Sequence, residues 1–425
     1  RDIDFAMRWG FGWSQGPFET WQAAGWQVIA EAVKADIDAG LAMSNVPLPA
    51  WVFDGRHGVH APEGSWSAAA AALKPRSTLP VYGRQLYPEQ VLGEAAPDAG
   101  VTLWENTGVR LWHLPARDAR IGIVSFKSKM HAIGDDVLDG VLEAIARAER
   151  DLDALVLWHE APFAVGANLL QVTEAFKAGQ FDMLEKTVAK FQQASMALKH
   201  AQVPTVAAVQ GMALGGGCEF AMHATHRVLA LESYVGLVEV GVGLIPAGGG
   251  SKEFALRAAA MARRAAGGDV FPFIQNMFQT IAMGTVSKSA LQAVELGFAQ
   301  ASDDIVFNAH ELLHVALARA RALAESGYQP PQVQRAVTVA GKSGIATCEM
   351  MLINMQEGGF ISPWDYRVGK AVATALCGGE VDTNARVSEQ WILDVERALF
   401  VDLLKTEKTQ QRIQHMLETG KPLRN

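Results

Sequence analysis

The chain has 425 residues, of which 49% are hydrophobic and 19% charged, a composition typical of globular proteins with core-forming material for two or three domains. Its net charge of −8 and pI of about 5.8 argue against general binding to nucleic acids or anionic membranes. No apolar run reaches the length of about 18 residues that would predict a membrane span. The three cysteines lie far apart and form no CxxC pair, so we expect a reduced, cytoplasmic setting.

Residues 1–52 have a helical pattern, with apolar side chains recurring at helical spacing after Pro17. Residues 53–100 are rich in Gly, Pro, His and Ala, which predicts a linker or a loosely packed segment. His57 and His60 in this segment have a spacing compatible with a metal ion, but no third ligand accompanies them. We therefore expect no metal site.

From about residue 101, strand and helix patterns alternate, which predicts an α/β fold with a layered sheet covered by helices. After about residue 250 the pattern is helical to the end of the chain. The predicted strands are 109–114, 121–127, 154–160 and 204–211, and the predicted helices before residue 250 are 135–150 and 181–200.

Two glycine-rich stretches carry the chemistry. GMALGGGCE, at 211–219, follows a predicted strand and begins a helix, so its unpaired N–H groups lie at the positive end of a helix dipole. Such a turn suits a phosphate or an oxygen that becomes negative during a reaction, and a side chain at Gly216 would block that oxygen. The stretch matches neither the dinucleotide fingerprint nor a Walker A loop. It ends in the carboxylate of Glu219, and a second carboxylate, Glu239, follows in VEVGVGLIPAGGG.

A further exposed turn precedes these stretches. APFAVGANLL, at 161–170, follows the strand predicted at 154–160 and offers a turn at Gly166 and Ala167. Two turns at the ends of neighbouring strands can each supply one N–H group to the same oxygen. That is the geometry of an oxyanion hole.

In their order and spacing, FAVGANL, GMALGGGCEFAM and VEVGVGLIPAGGG resemble the motifs of enoyl-CoA hydratases in the crotonase superfamily. The resemblance covers about residues 101–300 and implies the layered sheet core of the ClpP/crotonase type. Carried over motif by motif, it implies that Glu219 and Glu239 are catalytic and that Ala167 and Gly216 supply the oxyanion-hole N–H groups. The substrate-binding residues that it implies are Gly166, Asn168, Leu169, Gly215 and Gly217.

The motifs depart from the family pattern at two positions. Asn168 stands where the family usually has an aspartate after the oxyanion alanine, and Val238 stands where a proline usually precedes the second glutamate. Neither position carries the chemistry. Both contribute to the shape of the pocket, so the preferred acyl chain length stays open.

The ends of the chain carry a second resemblance. RWGFGWSQGPFETWQAAG is similar to the second C-terminal helical domain of 3-hydroxyacyl-CoA dehydrogenases, although Gln22 stands where that pattern prefers aspartate. RIQHMLETGKPLRN resembles the end of fused bacterial β-oxidation proteins. Together they imply the C-terminal part of a fused dehydrogenase/hydratase whose nucleotide-binding half is absent here. NAD is then expected only in that half, and this part of the protein is expected to need no cofactor.

The resemblance therefore implies four segments and one main activity. The segments are 1–52, a remnant of the dehydrogenase helical domain; 53–100, a linker; 101–300, the crotonase core; and 301–425, a helical C-terminal region. The implied activity is syn addition of water to trans-2-enoyl-CoA thioesters in fatty-acid β-oxidation. The alternatives are an isomerase or thioester hydrolase on the same fold, or a non-catalytic acyl-CoA binding or docking module. Two glutamates favour hydration, since a double-bond isomerase can work with one carboxylate.

The partners implied are an acyl-CoA thioester as substrate, a β-oxidation thiolase, and further copies of the chain in a homo-oligomer. A stripe of large apolar residues in the helix predicted at 269–283 favours core packing, with lining of an acyl-tail site as the alternative. The stripe consists of Phe273, Met277, Phe278 and Ile281. His159, at the end of a predicted buried strand, is expected to be structural.

Overall fold

The computed structural model describes residues 1–265 and 268–425 and divides the chain into two compact units, 1–99 and 100–425. The first unit combines short helices with a small antiparallel sheet of order β1-β2-β3. Its elements are α1 (Asp2–Phe11), α2 (Pro17–Ala23), α3 (Trp26–Asp38), β1 (His60–Ala61), β2 (Gly64–Ser67), β3 (Ala72–Lys74) and α4 (Pro80–Gly83).

Tryptophan rings form the centre of the first unit. Trp26 is buried together with Ala30, Val52 and Val59, and Trp21 stacks on it at a centroid distance of 4.1 Å. The Trp26 indole N–H donates to the Val52 carbonyl oxygen at 3.0 Å, which satisfies the one polar atom of the buried ring.

A buried polar chain joins α1 to the small sheet. Asp4 Oδ1 accepts the N–H of Phe18 at 2.8 Å, and Asp4 Oδ2 lies 2.6 Å from His60 Nε2. The other ring nitrogen of His60 lies 2.8 Å from Ser65 Oγ. His60 is therefore engaged by a carboxylate and a hydroxyl. No group of three or more potential metal ligands occurs in the part of the chain that the structure describes.

The segment predicted as a linker, 53–100, contains all three strands of this sheet. Gln22 connects this sheet to α2. Its side chain donates to the His60 carbonyl oxygen at 3.0 Å and accepts the His60 N–H at 3.1 Å, which holds β1 against the helix. The structure groups residues 1–99 as one compact unit. The functional boundaries at 52, 100 and 300 stay predictions.

The second unit is built on a seven-stranded sheet of order β10-β9-β8-β7-β6-β5-β4, antiparallel from β4 to β6 and parallel from β6 to β10. A separate pair, β11 and β12, is antiparallel. The strands are β4 (Val101–Glu105), β5 (Val109–Leu114), β6 (Asp118–Phe126), β7 (Ala154–Leu157), β8 (Thr205–Leu214), β9 (His226–Gly236), β10 (Asp304–Val306), β11 (Val337–Thr338) and β12 (Arg386–Val387).

Helices cover this sheet and make up most of the chain after residue 250, which confirms the predicted α/β class with a helical C-terminal region. They are α5 (Asp135–Asp151), α6 (Leu169–Lys177), α7 (Phe181–His200), α8 (Gly216–His223), α9 (Gly250–Arg264), α10 (Phe271–Ala282), α11 (Ala290–Glu295), α12 (Leu312–Glu325), α13 (Gly341–Glu357), α14 (Pro363–Leu376), α15 (Glu389–Leu404) and α16 (Glu407–Thr419). Met277, Phe278 and Ile281 of the predicted stripe on α10 are buried in the main core, and Phe273 packs against it.

Strand β8 is longer than predicted. The sequence placed a turn from Gly211 onward, but the strand continues to Leu214 because β9 pairs with it over that length, with Met212 beside Tyr234. The register shifts between Val209 and Gly211, where Gly211 has a φ of +61°. This bulge redirects the strand and carries the glycine turn beyond the end of the shorter neighbour β7.

A buried charge cluster joins α7, α9 and α15. The fully buried ammonium group of Lys252 lies 2.6 Å from Glu253 Oε1 and 3.0 Å from Glu389 Oε1, and Lys199 contacts the same two oxygens at 2.6 Å each. Burial alone would raise the pKa of Glu253, but Lys252 and Lys199 lower it well below its ordinary value of 4.5. A carboxyl with a lowered folded pKa stabilises the fold above its unfolded pKa, so this contribution is lost only as the pH falls below about 4.5.

Replacing Lys252 by methionine should lower the free energy of unfolding by about 3–5 kcal/mol, because two buried carboxylates are left with Lys199 as the remaining ammonium group. Urea unfolding at neutral pH measures this loss. Lys186→Met, on the exposed face of α7, is the matched control and should change stability by less than about 0.5 kcal/mol. Similar small changes in both variants would contradict a role for the cluster in stability.

Candidate active site

A cavity of about 440 Å³ opens where β8 ends and the glycine turn leads into α8. Its lining includes nearly all the site residues predicted from the sequence: Gly166, Ala167, Asn168, Leu169, Gly215, Gly216, Glu219 and Glu239. Gly217 lies outside the lining, and a methyl group added to it would lie 2.5 Å from the Ala164 carbonyl oxygen. The motifs therefore converge on one cavity, while Gly217 permits close packing of α8.

The turn at Gly166 supplies one open N–H group. Ile133 donates its N–H to the Gly166 carbonyl oxygen at 2.8 Å and accepts the N–H of Asn168 at 3.0 Å, which pairs it with Ala167 as in a parallel ladder. In such a bridge the N–H of the paired residue points away from the partner segment. Ala167 lines the cavity, and no described residue accepts a hydrogen bond from its N–H.

Asn168 ends this turn and caps α6. Its side-chain oxygen accepts the N–H groups of Leu170 and Gln171 at 3.2 and 3.4 Å. Asparagine and aspartate are equally good at such an N-cap. The departure from the family aspartate therefore preserves the local backbone structure.

The turn at Gly215 and Gly216 supplies the second open N–H group. Gly215 has a φ of +52°, and its own N–H donates to the Gly236 carbonyl oxygen at 2.8 Å. Gly216 is the first residue of α8, where the N–H has no partner within the helix. A methyl group added to Gly166 would lie 3.5 Å from the Gly216 nitrogen, so the two turns adjoin. The N–H groups of Ala167 and Gly216 can therefore stabilise one developing oxyanion.

Two histidines fix the segment that precedes the first turn. His159 Nε2 donates to the Phe163 carbonyl oxygen, and His131 Nδ1 donates to the Pro162 carbonyl oxygen at 2.6 Å. The two rings lie 3.9 Å apart, and burial lowers the pKa of His159 to about 3. His159 is therefore a neutral structural group, and it lies two residues beyond the end of β7. No feature of the sequence predicted a role for His131.

Backbone N–H groups hold Glu219. Its Oε1 accepts the N–H of Gly248 and of Gly250, both at 2.8 Å, at the start of α9. A methyl group added to Gly248 would lie 2.5 Å from Glu219 Oε2, and one added to Gly250 would lie 2.9 Å from Oε1. Only bare backbone fits here. Burial raises the pKa of Glu219 to about 7, although these two N–H groups and Lys252 act in the opposite direction.

Glu239 begins a 3-10 turn, Glu239–Val242, that ends at Gly243 with a φ of +78°. The buried hydroxyl of Thr409, on α16, donates to the Gly243 carbonyl oxygen at 2.8 Å and holds the turn in place. Glu239 Oε2 is buried without a hydrogen-bond partner among the described residues. Burial, and then the negative charge of Glu219, raise the pKa of Glu239 well above its ordinary value of 4.5.

Burial raises the pKa of both glutamates. Glu219, with a pKa of about 7, is present in both ionised and protonated forms near neutral pH. For Glu239, burial acts first, and the charge of Glu219 then disfavours a second negative charge beside it.

Packing gives a second reason for the glycine at 216. The motif predicted that a side chain there would block a ligand oxygen, and this stays a prediction. A methyl group added to Gly216 would lie 2.5 Å from Phe191 Cζ and 3.6 Å from Ile133 Cδ1, two side chains that also line the cavity. The N–H of Gly216 borders the cavity, whereas its missing side chain lets α8 begin close to α7.

A third buried carboxyl, Glu396 on α15, lies behind the site and gave no signal in the sequence. Its Oε1 accepts the N–H of Lys252 in the first turn of α9, the same turn that holds Glu219. Its Oε2 is buried without a partner among the described residues. Burial, and then the charge of Glu219, raise the pKa of Glu396 well above its ordinary value of 4.5.

Residues 117–266 match the sequence model of the family described as enoyl-CoA hydratase/isomerase. This segment is an enoyl-CoA hydratase/isomerase domain. It contains both open turns and both glutamates of the cavity, so the crotonase-type core predicted from the three motifs is confirmed.

Relatives extend the similarity beyond this domain. A probable 3-hydroxyacyl-CoA dehydrogenase of Bacillus subtilis is 34% identical over all of this chain and 51% of its own length. A putative fatty acid oxidation complex trifunctional enzyme of Rickettsia prowazekii is 23% identical over 97% of this chain and 49% of its own length. The crystal structure of an enoyl-CoA hydratase from Bacillus halodurans, 16% identical, covers 72% of this chain and 98% of its own, with a TM-score of 0.48. The chain spans about half the length of these two curated relatives.

Gly216→Ala should lower the free energy of unfolding by about 1–3 kcal/mol, because the added methyl group overlaps the Phe191 ring. The double variant Gly216→Ala with Phe191→Leu should recover part of this loss, since the smaller side chain makes room. Urea unfolding of the single and double variants measures the coupling. Purely additive losses would show that the Gly216–Phe191 contact does not explain the glycine.

Glu396→Gln should become more stable relative to the unaltered protein as the pH rises above about 4.5. A raised folded pKa means that the folded state binds the Glu396 proton more tightly than the unfolded state does. The free energy of unfolding of the unaltered protein therefore falls as the pH rises from the unfolded towards the folded pKa of Glu396. The permanently neutral glutamine avoids that loss. Urea unfolding at several pH values between 5 and 8 tests this, and a stability difference that does not change with pH would contradict it.

Proposed function

We propose that this chain adds water to trans-2-enoyl-CoA thioesters as the hydratase part of a longer fatty-acid β-oxidation enzyme. The observation that carries the proposal is the pair of glutamates, buried Glu219 and partly buried Glu239, on one cavity that also presents two open backbone N–H groups. Family membership alone leaves hydratase and isomerase open. The second carboxyl favours hydration.

In the proposed reaction, the thioester carbonyl oxygen binds between the N–H groups of Ala167 and Gly216. Attack of water on C3 moves an electron pair from the C2–C3 double bond towards that oxygen, which becomes an enolate. The two N–H groups are fixed before the reaction and border a largely apolar cavity, so they stabilise this charge by several kcal/mol.

The proton transfers fall to the two carboxyls. Ionised Glu219 accepts a proton from the attacking water as the C3–O bond forms, and protonated Glu239 delivers its proton to C2. Both carboxyls line the same cavity, so in this proposal water and proton reach the substrate from the same side and the addition is syn. A proton passed from Glu219 back to Glu239 restores the starting state.

The wider setting is also part of the proposal. The product is a 3-hydroxyacyl thioester, the substrate class that appears in the name of the Bacillus subtilis relative. We place the NAD-dependent step in another part of the longer protein, because the described residues do not fit NAD. No strand–GxGxxG–helix unit occurs among them, and the N–H groups of Gly248 and Gly250 are occupied by Glu219 rather than open to a pyrophosphate.

A thiolase partner, a homo-oligomer and a cytoplasmic location remain predictions for the longer protein. Within residues 1–265 and 268–425, no helix has both the length and the apolar character required to cross a bilayer.

Glu219→Gln and Glu239→Gln should each lower the turnover of crotonyl-CoA by at least about 100-fold, because each removes one proton-transfer group. Loss of the enoyl-thioester ultraviolet absorbance measures turnover. Glu160→Gln changes an exposed carboxyl beyond the end of β7 and should leave turnover unchanged. Near-normal turnover in either site variant, with the melting temperature preserved, would contradict the assigned roles.

The pH dependence of kcat/KM should show an acidic limb near pH 7, because Glu219 has a pKa of about 7 and must be ionised to accept a proton from water. Activity should fall again at higher pH, where Glu239 loses the proton that it delivers. Steady-state rates with crotonyl-CoA between pH 5 and 10 test this. A flat profile across pH 6–8 would show that Glu219 does not act as the base.

A further inference from the structure

A second cavity, of about 420 Å³, lies between α10, α13 and α14. It is formed by segments outside residues 117–266, so the matched hydratase/isomerase family segment does not account for it. Its apolar lining includes Phe278, Met283, Met351, Leu352, Met355 and Ile361. Flexible, unbranched methionine side chains adapt to the shape of a bound hydrocarbon chain.

The second cavity adjoins the active-site cavity. Met283 and Arg424 line both cavities, and Gly284, next to Met283 at the end of α10, lines the first. A methyl group added to Gly284 would lie 3.3 Å from the side chain of Val240, the residue that follows Glu239. The two cavities therefore share a boundary of two exposed side chains, Met283 and Arg424, which begins beside the turn of Glu239.

The charged groups at the second cavity satisfy one another. Asp365 Oδ1 accepts from Arg412 at 2.8 Å and from Arg424 at 2.9 Å, and Asp365 Oδ2 accepts the N–H of Ser362 at 3.0 Å. The carboxylate is thus engaged at both oxygens by groups of the protein itself. A ligand there gains chiefly from contact with the methionine, leucine, isoleucine and phenylalanine side chains, which suits an aliphatic chain.

We propose that the second cavity receives the distal part of a long acyl chain whose thioester end lies in the active-site cavity, at the N–H groups of Ala167 and Gly216. Met283 is the movable partition that the chain passes, and Met351 and Met355 set the accepted chain length. This inference rests on the proposed function. It assigns that function to long-chain substrates, through helices α13 and α14 that the family segment does not contain.

Continuity with the active site favours the acyl chain over an independent ligand. An acyl chain that enters from the active-site cavity is already held there by its thioester. To reach the second cavity it needs only a movement of Met283 and no separate binding event. A short chain ends before this partition. The second cavity should therefore matter for long substrates and be irrelevant to short ones.

Met351→Trp fills the second cavity and tests this. We expect kcat/KM for trans-2-hexadecenoyl-CoA, with 16 acyl carbons, to fall by at least tenfold, while kcat/KM for crotonyl-CoA, with four, stays unchanged. Met350→Trp is the matched control, because Met350 is the neighbouring residue on α13 with 56% of its surface exposed. It should leave both substrates unaffected. Met351→Ala, which enlarges the cavity, should preserve or increase the preference for the long chain.

Equal losses for both substrates in Met351→Trp, with its melting temperature preserved, would overturn the inference, and so would no loss for either. If tryptophan at 351 prevents folding, Met355→Trp replaces it in the same comparison.

The failure of the proposed function looks different: the unaltered protein would hydrate neither substrate. The affinity of palmitoyl-CoA relative to butyryl-CoA, measured by calorimetry in the unaltered protein and in Met351→Trp, would then decide whether the cavity binds a long chain. Equal ratios in the two proteins would overturn the inference.

Discussion

The site depends on one interaction, the binding of the buried Glu219 carboxylate by the N–H groups of Gly248 and Gly250. Without these donors the pKa of a carboxyl at this depth would rise further, because burial disfavours its charge. With them, its pKa settles at about 7, where it can both accept and release a proton. The glycines are required because any side chain would occupy the space of the carboxylate.

Much of the surrounding architecture supports that arrangement. The N-terminus of α9 supplies donors, and the N–H of Lys252 in the same turn donates to Glu396 from α15. Lys252 lies in the same turn and contacts Glu253 and Glu389. Its positive charge lowers the pKa of Glu219. On the other side of the cavity, α16 holds the turn of Glu239 through Thr409. Helices far along the chain therefore contact the backbone segments that hold Glu219 and Glu239.

The sequence predicted the fold class and the residues that meet at the cavity, because short motifs at strand ends have few structural solutions. Prediction from the sequence failed where a feature depends on contacts between residues that lie far apart in the chain. Nothing near residue 216 reveals that Phe191 requires the glycine, and nothing near residue 396 indicates a carboxyl beside α9. The end of β8 was placed too early because its extension depends on pairing with β9, which local glycines conceal. Residues 53–100 have the composition of a linker, yet they form a sheet held by side chains from α1 and α2.

The most direct test of the account is the identity of the product formed from crotonyl-CoA in deuterated water, followed by nuclear magnetic resonance. The account predicts a 3-hydroxybutyryl thioester with one deuterium at C2, since the enolate oxygen is held by Ala167 and Gly216 while the two carboxyls deliver water and a solvent-derived proton. Release of free coenzyme A would identify a thioester hydrolase. An unchanged crotonyl thioester, tightly bound to folded protein, would contradict the paired roles of Glu219 and Glu239 and leave a binding module or an isomerase in their place.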